Sequence, residues 1–152
     1  MELEIIQNKI YEIRGYKVML DFDLADIYKV ETKNLKRAVR RNIERFPADF
    51  MFELTKNEWE ILRCQNYTSS QGGIRYLPFA FTEQGVAQLS SILNSPFAIK
   101  MNIGIIRAFI ALRQYALGYA ELKYKLEEFM METNMQFNDI YTALIEFAEQ
   151  KN

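Results

Sequence analysis

The stretch DFDLADIYKVETKNLKRAVRRNIERFP, residues 21–47, decides how this chain is read. It opens on Phe22, Leu24, Ala25, Ile27 and Tyr28, which recur at helical spacing. Asp21 or Asp23 is expected to cap that helix, because a short carboxylate accepts from the free N–H groups of a first turn. Lys29-Val30-Glu31 is a short break. Thr32 then caps a second helix, expected to run to about Arg45. Pro47 stops it by pushing Phe46 to extended backbone. Two helices joined by three or four residues make a helix-turn-helix pattern.

On a helical wheel, Leu35, Ala38, Val39 and Ile43 share one side of the second helix. Lys33, Arg37, Arg40 and Glu44 take the opposite side, flanked by Lys36 and Arg41. Asn42 falls amid the apolar side and is read as a structural tie to nearby backbone. Residues 29–45 hold Lys29, Lys33, Lys36, Arg37, Arg40, Arg41 and Arg45 against Glu31 and Glu44, a net of +5. Residues 121–152 hold Lys123, Lys125 and Lys151 against seven carboxylates, a net of −4, so the whole chain comes to only −1. Opposite signs at two places point to a polyanion for the first and another role for the second.

The basic face spans about three turns, enough to meet phosphates on both sides of a major groove. An arginine fork matches guanine O6 and N7, so Arg37 and Arg40, central on the face, are expected at bases, with Asn34 beside them. Lys33, Lys36 and Arg41 suit phosphates, and Arg40 adds to affinity. Five neutralised phosphates per subunit would give a salt slope of roughly −4.5. The plain alternative is a solvated helix face.

Upstream, residues 10–13 and 17–20 flank Arg14-Gly15-Tyr16 as a hairpin, with Ile5 and Ile6 extending its first arm. Downstream, Phe50, Phe52 and Leu54 alternate with Met51 and Glu53, as in a strand with one buried face. Thr55-Lys56-Asn57-Glu58 is a capping box for a short helix carrying Trp59, Ile61 and Leu62. Residues 66–73 read as a polar loop ending in Gly72-Gly73. As a wing it would lay Arg75 or Lys56 along a phosphate backbone; a plain surface connection is the reading slightly preferred. Residues 74–81 resume a strand, which Pro78 places at an edge. Thr82 caps a helix from about Glu83 to Leu93, and Ser95-Pro96 starts another that runs nearly to the end. Gly104 and Gly118 are expected to bend or break it.

Beyond Gly118, Tyr119, Leu122, Leu126 and Phe129 follow 3-4-3 steps. Thr133 and Phe137 come at steps of four, and Ile140, Leu144 and Phe147 resume the alternation, as across a coiled-coil stutter. As a helix, residues 119–150 span roughly 48 Å, too long to bury their stripe on a small domain. A second copy pairing through Tyr119, Leu122, Leu126, Phe129, Ile140, Leu144 and Phe147 is expected, its orientation open. The alternative is packing on the chain's own core.

Composition narrows the function. Of 152 residues 49% are hydrophobic, with 11 Phe and 9 Tyr, enough for a packed core. No run of 18 apolar residues offers a membrane span. Met1-Glu2-Leu3-Glu4 does not resemble a signal peptide, and Cys64 has no internal disulfide partner, so a cytoplasmic location is expected. The absence of histidine excludes His-based triads and His-ligated zinc in this chain. Asp21, Asp23 and Asp26 could hold Mg²⁺ for a nuclease. Helix capping explains them better, since no lysine or histidine base is spaced to match.

Three separated strings, IRGYKVMLDFDLADIYKVETKNLKRAVRRNIERFPADFMFELT, GGIRYLPFAFTEQGVAQLSSIL and NIGIIRAFIALR, resemble the ORF-six N-terminal domain family of bacteria, phages and large DNA viruses, grouped with KilA-N and Bro-N domains. The resemblance covers residues 5–113 and implies DNA binding with a phage-derived, antirepressor-like or transcriptional role. The tail lies outside it. The expected fold is α+β, with small β-hairpins packed on a helix-turn-helix and a long C-terminal helical arm. Residues 5–113 are expected to form the DNA-binding domain and 114–152 the oligomerisation arm. The expected function is non-enzymatic, cofactor-free binding of double-stranded DNA by a homodimer. The alternative is a protein-interaction module whose tail binds a host or phage protein.

Overall fold

The computed structural model describes residues 3–66 and 76–150. The chain divides into two units, Met1–Leu112 and Arg113–Asn152. The first is α+β and is built on one four-stranded antiparallel sheet.

Strands β1 (Ile10–Ile13) and β2 (Tyr16–Leu20) form the expected hairpin. Ile13 pairs with Tyr16, so the turn is Arg14-Gly15 alone. Their φ values are 56° and 79°. Positive φ at both positions marks a type I′ turn, whose twist matches that of the strands. Ile5 and Ile6 do not extend β1; they lie in a short helix, α1 (Leu3–Gln7), which buries Ile6.

Strands β3 (Met51–Glu53) and β4 (Phe79–Phe81) complete the order β1-β2-β4-β3. The sheet therefore joins segments far apart in sequence instead of forming separate hairpins. The edge position expected from Pro78 is corrected. β4 lies between β2 and β3, and Pro78 immediately precedes the ladder. Its carbonyl accepts from the Leu54 N–H at 2.9 Å.

Both faces of the sheet are covered, which explains why its strands are apolar at consecutive positions. Met19, Met51, Phe79 and Phe81 face one core with Leu24, Ile27, Leu35, Val39, Val86 and Ile105. Val18, Leu20, Phe52 and Ala80 face the other, against Trp59 and Leu62 of α4 (Lys56–Asn66). Met51 is accordingly buried, where an exposed face had been expected. Ile61 of α4 is half exposed.

Local capping signals are obeyed at three of the helix starts. Thr55 Oγ1 accepts from the Glu58 N–H at 3.1 Å, and the Glu58 carboxylate accepts from the Thr55 N–H at 2.8 Å. Thr82 Oγ1 accepts from Gly85 N–H at the start of α5 (Glu83–Leu89). Ser95 Oγ accepts from Ala98 N–H at the start of α6 (Pro96–Gln150). Helix α5 stops at Leu89, short of the expected Leu93, where the Ser90 and Ser91 hydroxyls donate to the Ala87 and Gln88 carbonyls. Gly104 and Gly118 both lie within α6 and neither breaks it.

Asn102 of α6 is buried and donates to Tyr28 Oη and the Val86 carbonyl, each at 2.9 Å. It ties α6 to α2 (Asp21–Tyr28) and α5. Burial pushes the Tyr28 phenol up to about 12, opposed by the Asn102 bond. The described residues of the second unit, 113–150, are helical and all exposed.

Candidate nucleic-acid interface

Helix α2 runs directly from β2. Leu20 occupies its N-cap position without a side-chain bond, so neither Asp21 nor Asp23 takes that place. Lys29 ends α2 in the left-handed region, at φ 59°. Its N–H reaches the Asp26 carbonyl at 3.2 Å, and the Val30 N–H reaches the Ala25 carbonyl at 3.0 Å. This Schellman pattern turns the chain sharply into α3 (Thr32–Arg41). Glu31, not Thr32, is the N-cap, and its carbonyl accepts from the Asn34 and Leu35 N–H groups.

Helix α3 stops at Arg41, four residues before the expected end. Asn42 leaves helical geometry, and its Nδ2 donates to the Ala38 carbonyl at 2.9 Å, the structural tie expected of it. A 3₁₀ turn, Ile43–Arg45, follows. It carries Phe46 into the core edge-on to Phe81, with ring centroids 6.0 Å apart. Burying that ring requires the chain to leave the helix axis early. Ile43 is thereby left 55% exposed, not on the apolar side, and Glu44 and Arg45 leave the face of α3.

Leu35 and Val39 anchor α3 in the core. Lys33, Asn34, Arg37, Arg40 and Arg41 are exposed. Lys33 pairs with Glu31 at 3.3 Å across two exposed side chains, a contact of little energetic weight. The Arg40 guanidinium lies 5.3 Å over the Phe79 ring. Arg37 and Arg41 have no ion pair or ring contact among the described residues. Arg75 lies outside the described residues, as does most of the loop that precedes it.

Lys36 is a correction. It was expected at phosphate, yet it is only 7% exposed. Its Nζ lies 3.2 Å from Asp21 Oδ2, donates to the Leu77 carbonyl at 2.8 Å, and sits 4.7 Å over the Phe79 ring. Asp21 Oδ2 also accepts from the Phe79 N–H at 2.9 Å. One buried carboxylate thus joins α2, α3 and β4. Burial pushes the Asp21 carboxyl above its ordinary range, against the pull of the Phe79 N–H and of Lys36.

Asp21, Asp23 and Asp26 do not converge. Asp23 is buried, and Asp26 faces Lys9 at 3.6 Å. No group of three His, Cys, Asp or Glu suited to a metal occurs among the described residues.

Beside the exposed cations lies a cleft of about 470 Å³, lined by Phe22, Thr32, Lys33, Lys36, Arg37, Arg40 and Tyr76. Nothing in the local pattern marks Phe22 or Tyr76 as part of this site. Phe22 comes to it on α2, and Tyr76 reaches it because β4 returns between β2 and β3.

The ORF6N domain model matches residues 8–92, more than half of the chain. The chain belongs to the ORF6N domain family. The match takes in the sheet, α2, α3 and α5, and ends before residues 93–113, which the resemblance of the sequence strings had included. ORF6N domains are a phage and viral type of domain, which at that level is consistent with a DNA-binding regulator. No curated protein and no solved structure gives a significant match. In this ORF6N domain the exposed cations and the cleft both lie within the matched residues. Among the described residues, no helix is long and apolar enough to cross a membrane.

Proposed function

We propose that the chain is a non-enzymatic regulator that binds duplex DNA through the exposed face of α3. The observation that carries this reading is the set of four exposed cations, Lys33, Arg37, Arg40 and Arg41, opposite the buried Leu35 and Val39. On paired duplex Arg37 and Arg40 serve bases, with Asn34 beside them; Lys33 and Arg41 serve phosphates. With Lys36 withdrawn, those two phosphates per subunit give a salt slope of about −1.8. Gel retardation of Arg37→Glu/Arg40→Glu tests the reading. Retardation is lost if α3 binds DNA; undiminished retardation by a folded variant defeats it.

The second half of the proposal is self-pairing. Tyr119, Leu122, Leu126, Phe129, Ile140, Leu144 and Phe147 are each more than half exposed. A stripe of that size supports a helical partner, and a second copy doubles the number of DNA half-sites. Sedimentation of the full chain and of Leu126→Lys/Leu144→Lys tests this. A monomeric full chain would favour instead a tail that captures another protein.

A further inference from the structure

We propose that the cleft beside α3 takes one unpaired nucleotide of bound DNA, its base against Phe22 and Tyr76 and its phosphate on Arg37 and Arg40. This inference rests on the DNA-binding reading of α3 and names the form of DNA that the site prefers. The cleft, at about 470 Å³, falls among the pockets of about 300–1,000 Å³ that hold small ligands. Its two kinds of wall match the two halves of a nucleotide. Tyr76 presents a ring that is 65% exposed. Phe22 is half-buried and held edge-on to Trp59, with centroids 5.8 Å apart and planes at 70°. Helix α3 supplies Lys33, Arg37 and Arg40 to the same lining.

Charge is graded within the cleft. Lys36 is neutralised by the buried Asp21 carboxylate 3.2 Å away. The exposed cations of Arg37 and Arg40 are not offset in that way. A flat aromatic group attached to an anion matches such a gradient. A phosphate alone would leave the aromatic wall unused, and an apolar ligand would leave the arginines unanswered. In a paired duplex both faces of every base are already stacked, so paired bases cannot enter. Extrusion of a base costs least where it is already unpaired. Stacking of a base on an aromatic ring then repays that cost with little regard to sequence.

The test compares a short paired duplex with the same duplex carrying one unpaired thymidine, using the full chain at near-physiological salt and fluorescence anisotropy. The bulged duplex is expected to bind about tenfold more tightly, within what one base–aromatic stack supplies. Tyr76→Ala brings the bulged-duplex affinity down towards that of the paired duplex, and Tyr76→Phe retains the preference. Equal affinity of the unsubstituted chain for the two duplexes overturns the cleft proposal and leaves duplex binding standing. A preference that survives Tyr76→Ala also overturns it. Failure to bind either duplex overturns both this inference and the reading of α3.

Discussion

Replacing Lys36 with methionine separates a clamp from a DNA contact. Methionine keeps an unbranched stem of similar reach and removes the ammonium. The side chains of Lys36 and Asp21 are 8% and 2% exposed and lie 3.2 Å apart. Removing one member of such a pair costs about 3–5 kcal/mol, because the other charge is left buried. Asp21 keeps its bond from the Phe79 N–H at 2.9 Å and can take up a proton, which places the loss near the lower end. A cost of about 3 kcal/mol lowers the melting temperature by about 6–12 °C in a chain of this size. The pH dependence has a definite sign. Asp21 is already raised in the fold, so its contribution is full below its unfolded value of about 3.9 and is lost as pH rises through the folded value. Losing the cation raises the folded value further. The deficit of Lys36→Met against the unsubstituted chain therefore narrows as pH is lowered below 7, and urea unfolding across that range measures it. In parallel, Lys36→Met leaves the salt slope of DNA binding unchanged, whereas Arg41→Met reduces it by about 0.9. A slope change for Lys36→Met equal to that of Arg41→Met would refute the clamp, as would a stability loss below about 1 kcal/mol at neutral pH.

Glu58→Ala removes a capping-box acceptor and the partner of Arg14, whose Nε lies 2.8 Å from its carboxylate. About 1–2 kcal/mol is expected at pH 7, small because the pair is partly exposed. The Arg14 bond holds the Glu58 carboxyl down at about 2, so that contribution is present above the ordinary carboxylate range and is lost as pH falls towards 2; urea midpoints along that range check it. Gly85→Ala would drive a Cβ into the Phe50 carbonyl oxygen, where backbone cannot give way. A loss of about 3 kcal/mol is expected in thermal unfolding. Asn102→Ala leaves the Val86 carbonyl and Tyr28 hydroxyl without their donor, for about 2 kcal/mol in urea unfolding. Its cost should exceed that of Tyr28→Phe, which leaves the Asn102 bond to Val86 intact.

Residues 21–47 show which features of this protein are local. The helix-turn-helix, the capping box at Thr55 and Glu58, and the starts at Thr82 and Ser95 depend on neighbours within a few residues. Each was legible from local spacing, although the caps of α2 and α3 fell to Leu20 and Glu31 and not to Asp21, Asp23 or Thr32. The exposed character of Lys33, Arg37 and Arg40 also followed from spacing alone, once Leu35 and Val39 had claimed the core side. The arginine in the left-handed turn at residue 14 was less legible, since its side chain answers to Glu58, 44 positions away.

What the sequence by itself determined is an α+β chain with one basic helix and an apolar stripe in its tail. Tertiary structure alone decided which of the flanking cations face solvent and what lies beside them. Lys36 occupies a flank on the wheel, where burial and exposure are equally open. It is buried because β4 inserts between β2 and β3, bringing Leu77 and Phe79 to α3 and leaving the Asp21 carboxylate without water. The same insertion brings Tyr76 into the cleft that Arg37 and Arg40 also line. Helical periodicity reports only the direction in which a side chain leaves its own helix. The dielectric and the partners it meets there are set by strands more than thirty residues away.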